Sequence, residues 1–294
     1  MKPASFKYYA PTTVEEALAH LAEHGYDAKP LAGGQSLVPT MNFRLSQPAA
    51  LVDLNNVSEL FYIRPDNGSG GLRIGAMTRQ AQVEQDALVA ERAPLFHDAM
   101  PSIGFRQTRN RGTIGGSLAH ADPAAELSAA TVALGARFRL RSQAGERWLA
   151  ADEFFLGPFF TALDVGELLV EIELPPKPPR SGWFFKEITR RHHDFAMAGV
   201  AALVTLDAAM KQCERAKVVL FSVGDGPVEA RQAAAVLEGQ SPTPEAIEAV
   251  AETAASDDID PGGDIHASAE YRRQLVKALT GQALTHAFDR ARGG

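Results

Sequence analysis

At 294 residues the chain is too long for one small core, so two or three domains are expected. Its 45% apolar and 22% charged residues are those of a soluble globular protein, and a net charge of −7 excludes the basic surface that general nucleic-acid binding relies on. The single cysteine, Cys213, excludes an internal disulfide and any iron–sulfur cluster held by this chain alone.

The opening stretch, MKPASFKYYAPTT, has no apolar core and no small-residue cleavage site, and no apolar run is long enough to cross a bilayer, so a cytoplasmic location is expected. From Pro11, PTTVEEALAHLAEHG predicts a helix with Thr13 and Glu16 as a capping box and Gly25 as its stop. KPLAGGQSLVP then predicts a short strand and a glycine pair, and LVDLNNVSELFYI a strand that turns at Asn55 and Asn56. DNGSGG leads into a further strand, LRIGAM. Thr78 is the expected cap of a helix through RQAQVEQDALVAE, and another helix falls within PLFHDAMPSIG.

RNRGTIGGSLAHADPAAE follows, with Asp122 and Pro123 as the expected start of a helix that Gly135 ends. ARFRLRSQAGERWLAADEFF predicts a hairpin with Gly145 at its tip, and ELLVEIELP a strand. PPKPPR, from Pro175 to Arg180, is the clearest boundary, because prolines cannot donate ladder hydrogen bonds and stiffen a connector. Beyond it, GWFFKEITRR, FAMAGVAALVTLD and RAKVVLFSVGDGP predict an antiparallel sheet, and the helical runs that follow would cover one side of it.

Two stretches pair glycines with a serine: LAGGQSLV (Leu31–Val38) and TIGGSLAHADP (Thr113–Pro123). Without a Cβ, successive N–H groups can converge on one anion, and two such loops would suit a diphosphate. Equally, each could be no more than a tight turn. Neither fits GxGxxG or GxxxxGK[ST], so a nucleotide bound here would not lie on a Rossmann sheet. On a strand, His192 and His193 would point to opposite faces and could not share a metal, and no other group of residues has ligand spacing. Arg190, Arg191 and Asp194 are expected to form an ion-pair network between domains, and His120 to be a polar loop residue.

AGGQSL after a capped helix, LVDLNNVSEL, RIGAM, RNRGTIGGSLAHADPAAE and KEITRRHHDFA, in this order, resemble the FAD-binding medium subunit of molybdenum hydroxylases. That family includes the carbon monoxide dehydrogenase medium chain and the flavin subunit of xanthine dehydrogenase. The likeness runs from about Phe6 to the C-terminus. It implies an α+β fold: a vanillyl-alcohol-oxidase (PCMH) type FAD domain over 1–176, in subdomains of about 1–57 and 58–176, and a carbon monoxide dehydrogenase flavoprotein-like α+β domain over 177–294.

In the family both loops clamp FAD. The resemblance therefore nominates Leu31, Ala32, Gly33, Gly34, Gln35, Ser36, Leu37 and Val38 in the first loop, and Thr113, Ile114, Gly115, Gly116 and Ser117 in the second. Family members often have His at the position of Gln35 and Asn or Asp at that of Ser117. Asp122 lies in the family's ADPA-like turn, and Glu126 matches an acidic contact to the cofactor. Leu168 or Leu169 matches an apolar residue against the flavin ring, Lys186 a lysine near it, and Phe195 a position that is aromatic in some relatives.

The resemblance implies an oxidoreductase subunit that relays electrons. A small subunit with two 2Fe-2S clusters and a large molybdopterin subunit would be its partners, in a dimer of heterotrimers. The chain itself would hold no metal and no catalytic acid–base pair, and the organic substrate and terminal acceptor are set elsewhere. Two alternatives remain at this point: a free-standing flavin-dependent oxidoreductase of the same fold, and an assembly protein that has lost FAD.

Overall fold

The computed structural model describes residues 2–293. β1 (Lys7–Tyr9), α1 (Val14–His24), β2 (Ala28–Leu31), α2 (Leu37–Asn42) and β3 (Ala50–Asp53) form a small parallel sheet of order β1-β3-β2. Parallel neighbours need crossovers, and the two helices supply them. Val14, Ala17, Leu18 and Leu21 are buried at the i, i+3, i+4 and i+7 spacing of one helical face. They pack in one core with Ala50 and Val52 of β3. Thr13 accepts the Glu16 N–H as expected, while the Glu16 carboxylate reaches one residue further back, to the Thr12 N–H at 2.8 Å. Gly25 ends α1 with φ 52°.

The middle of the chain is mixed. β4 (Ile63–Pro65) and β5 (Leu72–Gly75) are followed by α3 (Gln80–Gln85), α4 (Ala87–Arg92), α5 (Pro94–Ala99), α6 (Arg106–Arg111), α7 (Ile114–His120) and α8 (Glu126–Leu134). Then come β6 (Arg137–Ser142), β7 (Gly145–Ala150), α9 (Ala151–Phe154), β8 (Phe155–Gly157), β9 (Phe160–Thr161) and β10 (Leu168–Leu174). The sheet order is β4-β5-β10-β6-β7, antiparallel throughout. On β10, Leu168 and Val170 face the core of the first sheet, whereas Leu169, Ile172 and Leu174 enter the core beneath the helices.

Two helix starts differ from expectation. Thr78 does not cap a helix; its hydroxyl is bonded to both the backbone N–H and C=O of Tyr62. The long helix expected there divides at Asp86, whose carboxylate accepts the Leu88 and Val89 N–H groups and starts α4. Nor does Asp122 begin α8. Its carboxylate accepts the Ala124 N–H at 2.9 Å in a local turn, so that Ala125 becomes the cap and Glu126 the first helical residue. Gly135 closes α8 in the left-handed conformation, φ 66°, as expected.

After the proline connector, β11 (Ser181–Thr189), β12 (Ala196–Leu206), β13 (Cys213–Phe221) and β14 (Val228–Glu229) form an antiparallel sheet in that order. α10 (Arg231–Leu237), α11 (Pro244–Ser256) and α12 (Ala269–Ala291) follow. The period of two divides this sheet's faces. Phe184, Ile188, Val200 and Ala202 pack with the helices α10–α12. Trp183, Phe185, Ala201 and Phe221 join the core that includes α5 and α8. One apolar core therefore continues across the seam between the region that ends with β10 and the C-terminal region.

The ionic clasp across this seam is not the one expected. Arg191 pairs with Asp194 at 3.5 Å within its own exposed turn, and Arg190 makes no ion pair among the described residues. Instead Asp98, next to Ala99 at the end of α5, accepts the Trp183 indole N–H and an Arg290 N–H, both at 3.0 Å. His192 and His193 also lie in that turn rather than on a strand, their ring centroids 5.7 Å apart. No group of three or more metal-ligating side chains occurs among the described residues.

Candidate functional site

The two glycine loops meet. A Cβ on Gly33 would lie 2.8 Å from Gly112 Cα, and one on Gly116 would lie 3.2 Å from the Ala32 Cβ. Only a residue without a side chain lets these backbones approach so closely. Arg79 fastens the contact, donating to the Arg111 carbonyl at 2.6 Å and to Asn55 Oδ1 at 2.5 Å. Asn55 in turn donates to the Ala32 carbonyl at 3.0 Å. Asp53 holds Asn55 through its backbone N–H at 2.9 Å and accepts the Tyr8 hydroxyl at 2.5 Å.

Arg79 and Asp53 were not singled out by the sequence reading, and Asn55 was read only as a turn residue. The LVDLNN motif contained the last two, with an Asn two residues after an Asp at a strand end, but nothing local ties them to an arginine 24 positions away. That pairing exists only once β3 and the start of α3 are neighbours.

The loops use their backbones differently. In the second, every leading N–H is bonded within the chain. Ile114 donates to Thr78 C=O at 3.0 Å, Gly115 to Ala76 C=O at 2.8 Å, Gly116 to Thr113 Oγ1 at 3.0 Å and Ser117 to Thr113 C=O at 3.1 Å. Gly115 and Gly116 therefore lie inside a short helix capped by Thr113, not in an open bend. A Cβ on Gly115 would strike Ala76, 2.5 Å from its Cβ and 2.9 Å from its carbonyl oxygen. Its absence of side chain serves the packing of α7 on the end of β5, and a larger residue would push into the protein rather than into a ligand.

In the first loop the chain turns at Gly34, with φ 73°, and the first helical bond is Val38 N–H to Gly34 C=O. The N–H groups of Gly34, Gln35, Ser36 and Leu37 find no acceptor among the described residues. They are the unbonded donors of a helix start, held beside the second loop. The Gln35 side chain turns back to the Gly33 carbonyl at 3.2 Å. A cradle of open amides between packed glycines fits an extended diphosphate: the donors are present and the walls are bare backbone.

Other nominated residues lie farther along. Glu126 is half-buried at the start of α8, and burial pushes its carboxyl pKa up to about 7, with the charge of Asp122 adding to the shift. Glu187 on β11 is also half-buried; burial and the charge of Glu126 push it up to about 8. Its Oε2 is shut off from solvent without a partner. Glu187 shares the face of Trp183 and Phe185, toward α8, whereas Lys186 falls on the face of Phe184 and Ile188 and is exposed. The fold thus turns Glu187, which was not nominated, toward α8, and sends Lys186 to the other side of the sheet.

Leu168 and Leu169 are both buried, one in each of two cores. Phe195 is exposed in the turn before β12. Its neighbour His193 tilts over the exposed Phe105 with ring centroids 5.0 Å apart. His120 is the last residue of α7 rather than a loop residue. It packs on Phe159 at 5.1 Å, and burial lowers its pKa, which favours the neutral ring.

Two regions thus share one core, and two glycine loops of the first pack together with open backbone amides beside them. Residues 4–177 match the family model described as "FAD binding domain in molybdopterin dehydrogenase", and residues 183–287 match "CO dehydrogenase flavoprotein C-terminal domain". The chain is 41% identical to the 6-hydroxypseudooxynicotine dehydrogenase complex subunit alpha of Paenarthrobacter nicotinovorans, over 99% of this chain and 97% of that one. It is 40% identical to the caffeine dehydrogenase subunit beta of Pseudomonas sp. (strain CBB1), with the same coverage. Among solved structures, carbon monoxide dehydrogenase from Hydrogenophaga pseudoflava matches with a TM-score of 0.94 and 37% identity, covering 99% of both chains. The chain belongs to the family of FAD-binding medium subunits of molybdenum hydroxylases. It is an oxidoreductase subunit whose cofactor is FAD. No helix among the described residues is long and apolar enough to cross a membrane.

Proposed function

We propose that the first loop, Leu31–Val38, is the principal grip on the FAD diphosphate, and that the second, Thr113–Ser117, is the rigid wall against which the first is set. The open amides of Gly34 to Leu37 beside a loop whose own amides are already bonded carry this reading. Each bond from such a donor to a charged oxygen contributes roughly 1.5–3 kcal/mol, so a few suffice for tight binding. Glu126 and Asp122, just past the second loop, would face the cofactor farther along, with Leu168 or Leu169 and Lys186 as more distant candidates. The domain division follows the same logic, with 1–176 holding FAD and 177–294 closing over it.

The bound flavin supplies the redox chemistry, and this chain supplies position and electrostatics. The chain acts as an electron-transfer subunit. It receives electrons from an iron–sulfur subunit and passes them to an external acceptor, while a molybdopterin subunit acts on the organic substrate. A dimer of such heterotrimers, in the cytoplasm, is the assembly we favour. The relatives' names include nicotine derivatives, caffeine and carbon monoxide on chains matched nearly end to end, which supports placing substrate choice outside this subunit. Copurification tests the reading. Tagged chain coexpressed with its neighbouring reading frames should elute yellow, with a small cysteine-rich and a large subunit. A colourless chain would overturn the cofactor assignment, and a yellow chain that oxidises an organic substrate alone would favour the free-standing enzyme.

A further inference from the structure

A cavity of about 290 Å³ lies at the seam, near the small end of the range for small-molecule sites, roughly 300–1,000 Å³. Its floor is the C-terminal sheet. Trp183, Leu203 and Lys217 form one row across β11, β12 and β13, and Thr205 opposite Arg215 begins the next row on the same face. The first region supplies two walls, the start of α5 at Pro94 and Leu95 and the end of α8 at Leu134. The proline connector closes the third side.

Four cations line this cavity, Arg92, Lys177, Arg215 and Lys217, and no carboxylate does, in a chain of net charge −7. Among the described residues only Lys217 has an ion pair, with Glu229 at 3.9 Å, and Arg92 makes only long contacts, 3.4 Å, to the Gly70 and Gly71 carbonyls. Lys177 and Arg215 are exposed, as solvated surface cations are, but Arg92 and Lys217 are half-buried. Neighbouring carboxylates are engaged elsewhere. Asp98 holds Trp183 and Arg290, and Glu214 pairs with Arg180 at 3.5 Å. Glu214 and Glu238 line a separate recess that shares Thr205 and Arg215. Four like charges around one space repel each other, and a bound anion relieves that.

The rest of the lining is apolar and flat. Pro94, Pro175, Pro176 and Pro178 carry no N–H, so these walls offer a neutral polar ligand few donors and leave polar recognition to the cations. Lys177 Nζ lies 5.1 Å from the centre of the Trp183 ring, so aromatic surface and positive charge adjoin. We propose that this cavity binds a small aromatic carboxylate, its ring against Trp183, Leu203 and the prolines and its carboxylate between Arg215 and Lys217. Those two side chains lie two residues apart on one strand and share a face, so a single carboxylate can meet both. The site is separate from the glycine loops and needs no flavin. Its walls come from both regions and the connector, so an occupant stabilises their docked arrangement.

The test uses the full chain with its FAD. Trp148→Phe leaves Trp183 as the one tryptophan, and its fluorescence is followed while benzoate, benzamide, acetate or sulfate is added. Benzoate should bind saturably with Kd below about 1 mM, and the other three at least about tenfold more weakly. No saturation would overturn the site. Benzamide as tight as benzoate would overturn the role of charge, and acetate or sulfate as tight would overturn the aromatic class. Arg215→Met and Lys177→Met should each weaken benzoate about tenfold; an unchanged Kd in both would place the ligand elsewhere. Should Trp148→Phe not fold, calorimetry on the wild type measures the same Kd values. Benzoate at ten times its Kd should raise the melting temperature by about 2 °C, and no shift would overturn the stabilised seam. Finally, the chain assembled with its partner subunits should still bind benzoate. Loss of binding there would show that a partner covers the cavity and would overturn the small-molecule site.

Discussion

The two glycine loops have nearly the same letters and do opposite things. In AGGQS the chain leaves β2, turns through Gly34 and begins α2 with its first amides unbonded. In TIGGS the chain enters α7 with its first amides bonded to Thr78, Ala76 and Thr113. One loop offers donors, and the other is finished internally and forms the wall. A glycine pair followed closely by serine therefore identifies close backbone approach, but what approaches, a ligand or another strand, depends on what the fold puts beside it. Arg79 makes the pair one unit by bonding the carbonyl of Arg111 on one side and Asn55, which holds Ala32, on the other.

Gly115→Val should have the largest effect, because its side chain would overlap the Ala76 backbone. We expect a loss of roughly 3 kcal/mol or more of stability in the FAD-free chain, seen by urea unfolding. If that chain stays as stable as wild type and loses only FAD, the second loop is a direct clamp and the contrast fails. Arg79→Ala should come next, costing about 2 kcal/mol by leaving the half-buried Asn55 Oδ1 and the exposed Arg111 carbonyl without their donor, and lowering FAD content with stability. Rescue of FAD content by Arg79→Lys would show that charge, not the two-armed fit, holds the loops together.

Gln35→Pro sharpens the comparison from the other side. Position 35 is the first after the Gly34 turn, where proline suits a helix start and only an open amide is removed. FAD affinity should fall about tenfold, equivalent to about 1.4 kcal/mol, with the melting temperature of the FAD-free chain unchanged; Gln35→Ala controls for the side chain. An unchanged affinity would show that this amide is not a ligand.

The smallest effect concerns pH. Glu126 and Glu187 have folded-state pKa values raised to about 7 and about 8, above the usual carboxylate range. Between about pH 4.5 and 8 the folded chain therefore binds more protons than the unfolded chain, and stability falls as pH rises. Glu187→Gln should flatten that slope and raise the melting temperature at pH 8 by about 2–4 °C. A parallel pH profile in the variant would show that Glu187 is not strained in the native state.

Much of the fold was legible because it is written in local periodicity. The capped α1, the hairpin β6–β7, the proline connector and the strand-then-helix order of the C-terminal region all follow from neighbours in sequence. The misreadings share one cause. Thr78 and Asp122 are good caps by type, but Thr78 is taken by Tyr62, just before β4, and Asp122 closes a local turn on Ala124 ahead of α8. The short segments Arg106–Arg111 and Ile114–His120 were not read as helices because glycines and polar residues dominate them, and tertiary bonds hold them in that shape.

By itself the sequence determined the family, the cofactor class and the backbone positions that must lack a Cβ, since each depends on residue type at fixed local spacing. Only the tertiary structure decided which glycine loop keeps its amides free, that Arg79 joins the two, and that Glu187 rather than Lys186 faces α8. Those outcomes depend on hydrogen-bond partners and sheet faces contributed by segments tens of residues apart, which no window of neighbouring residues contains.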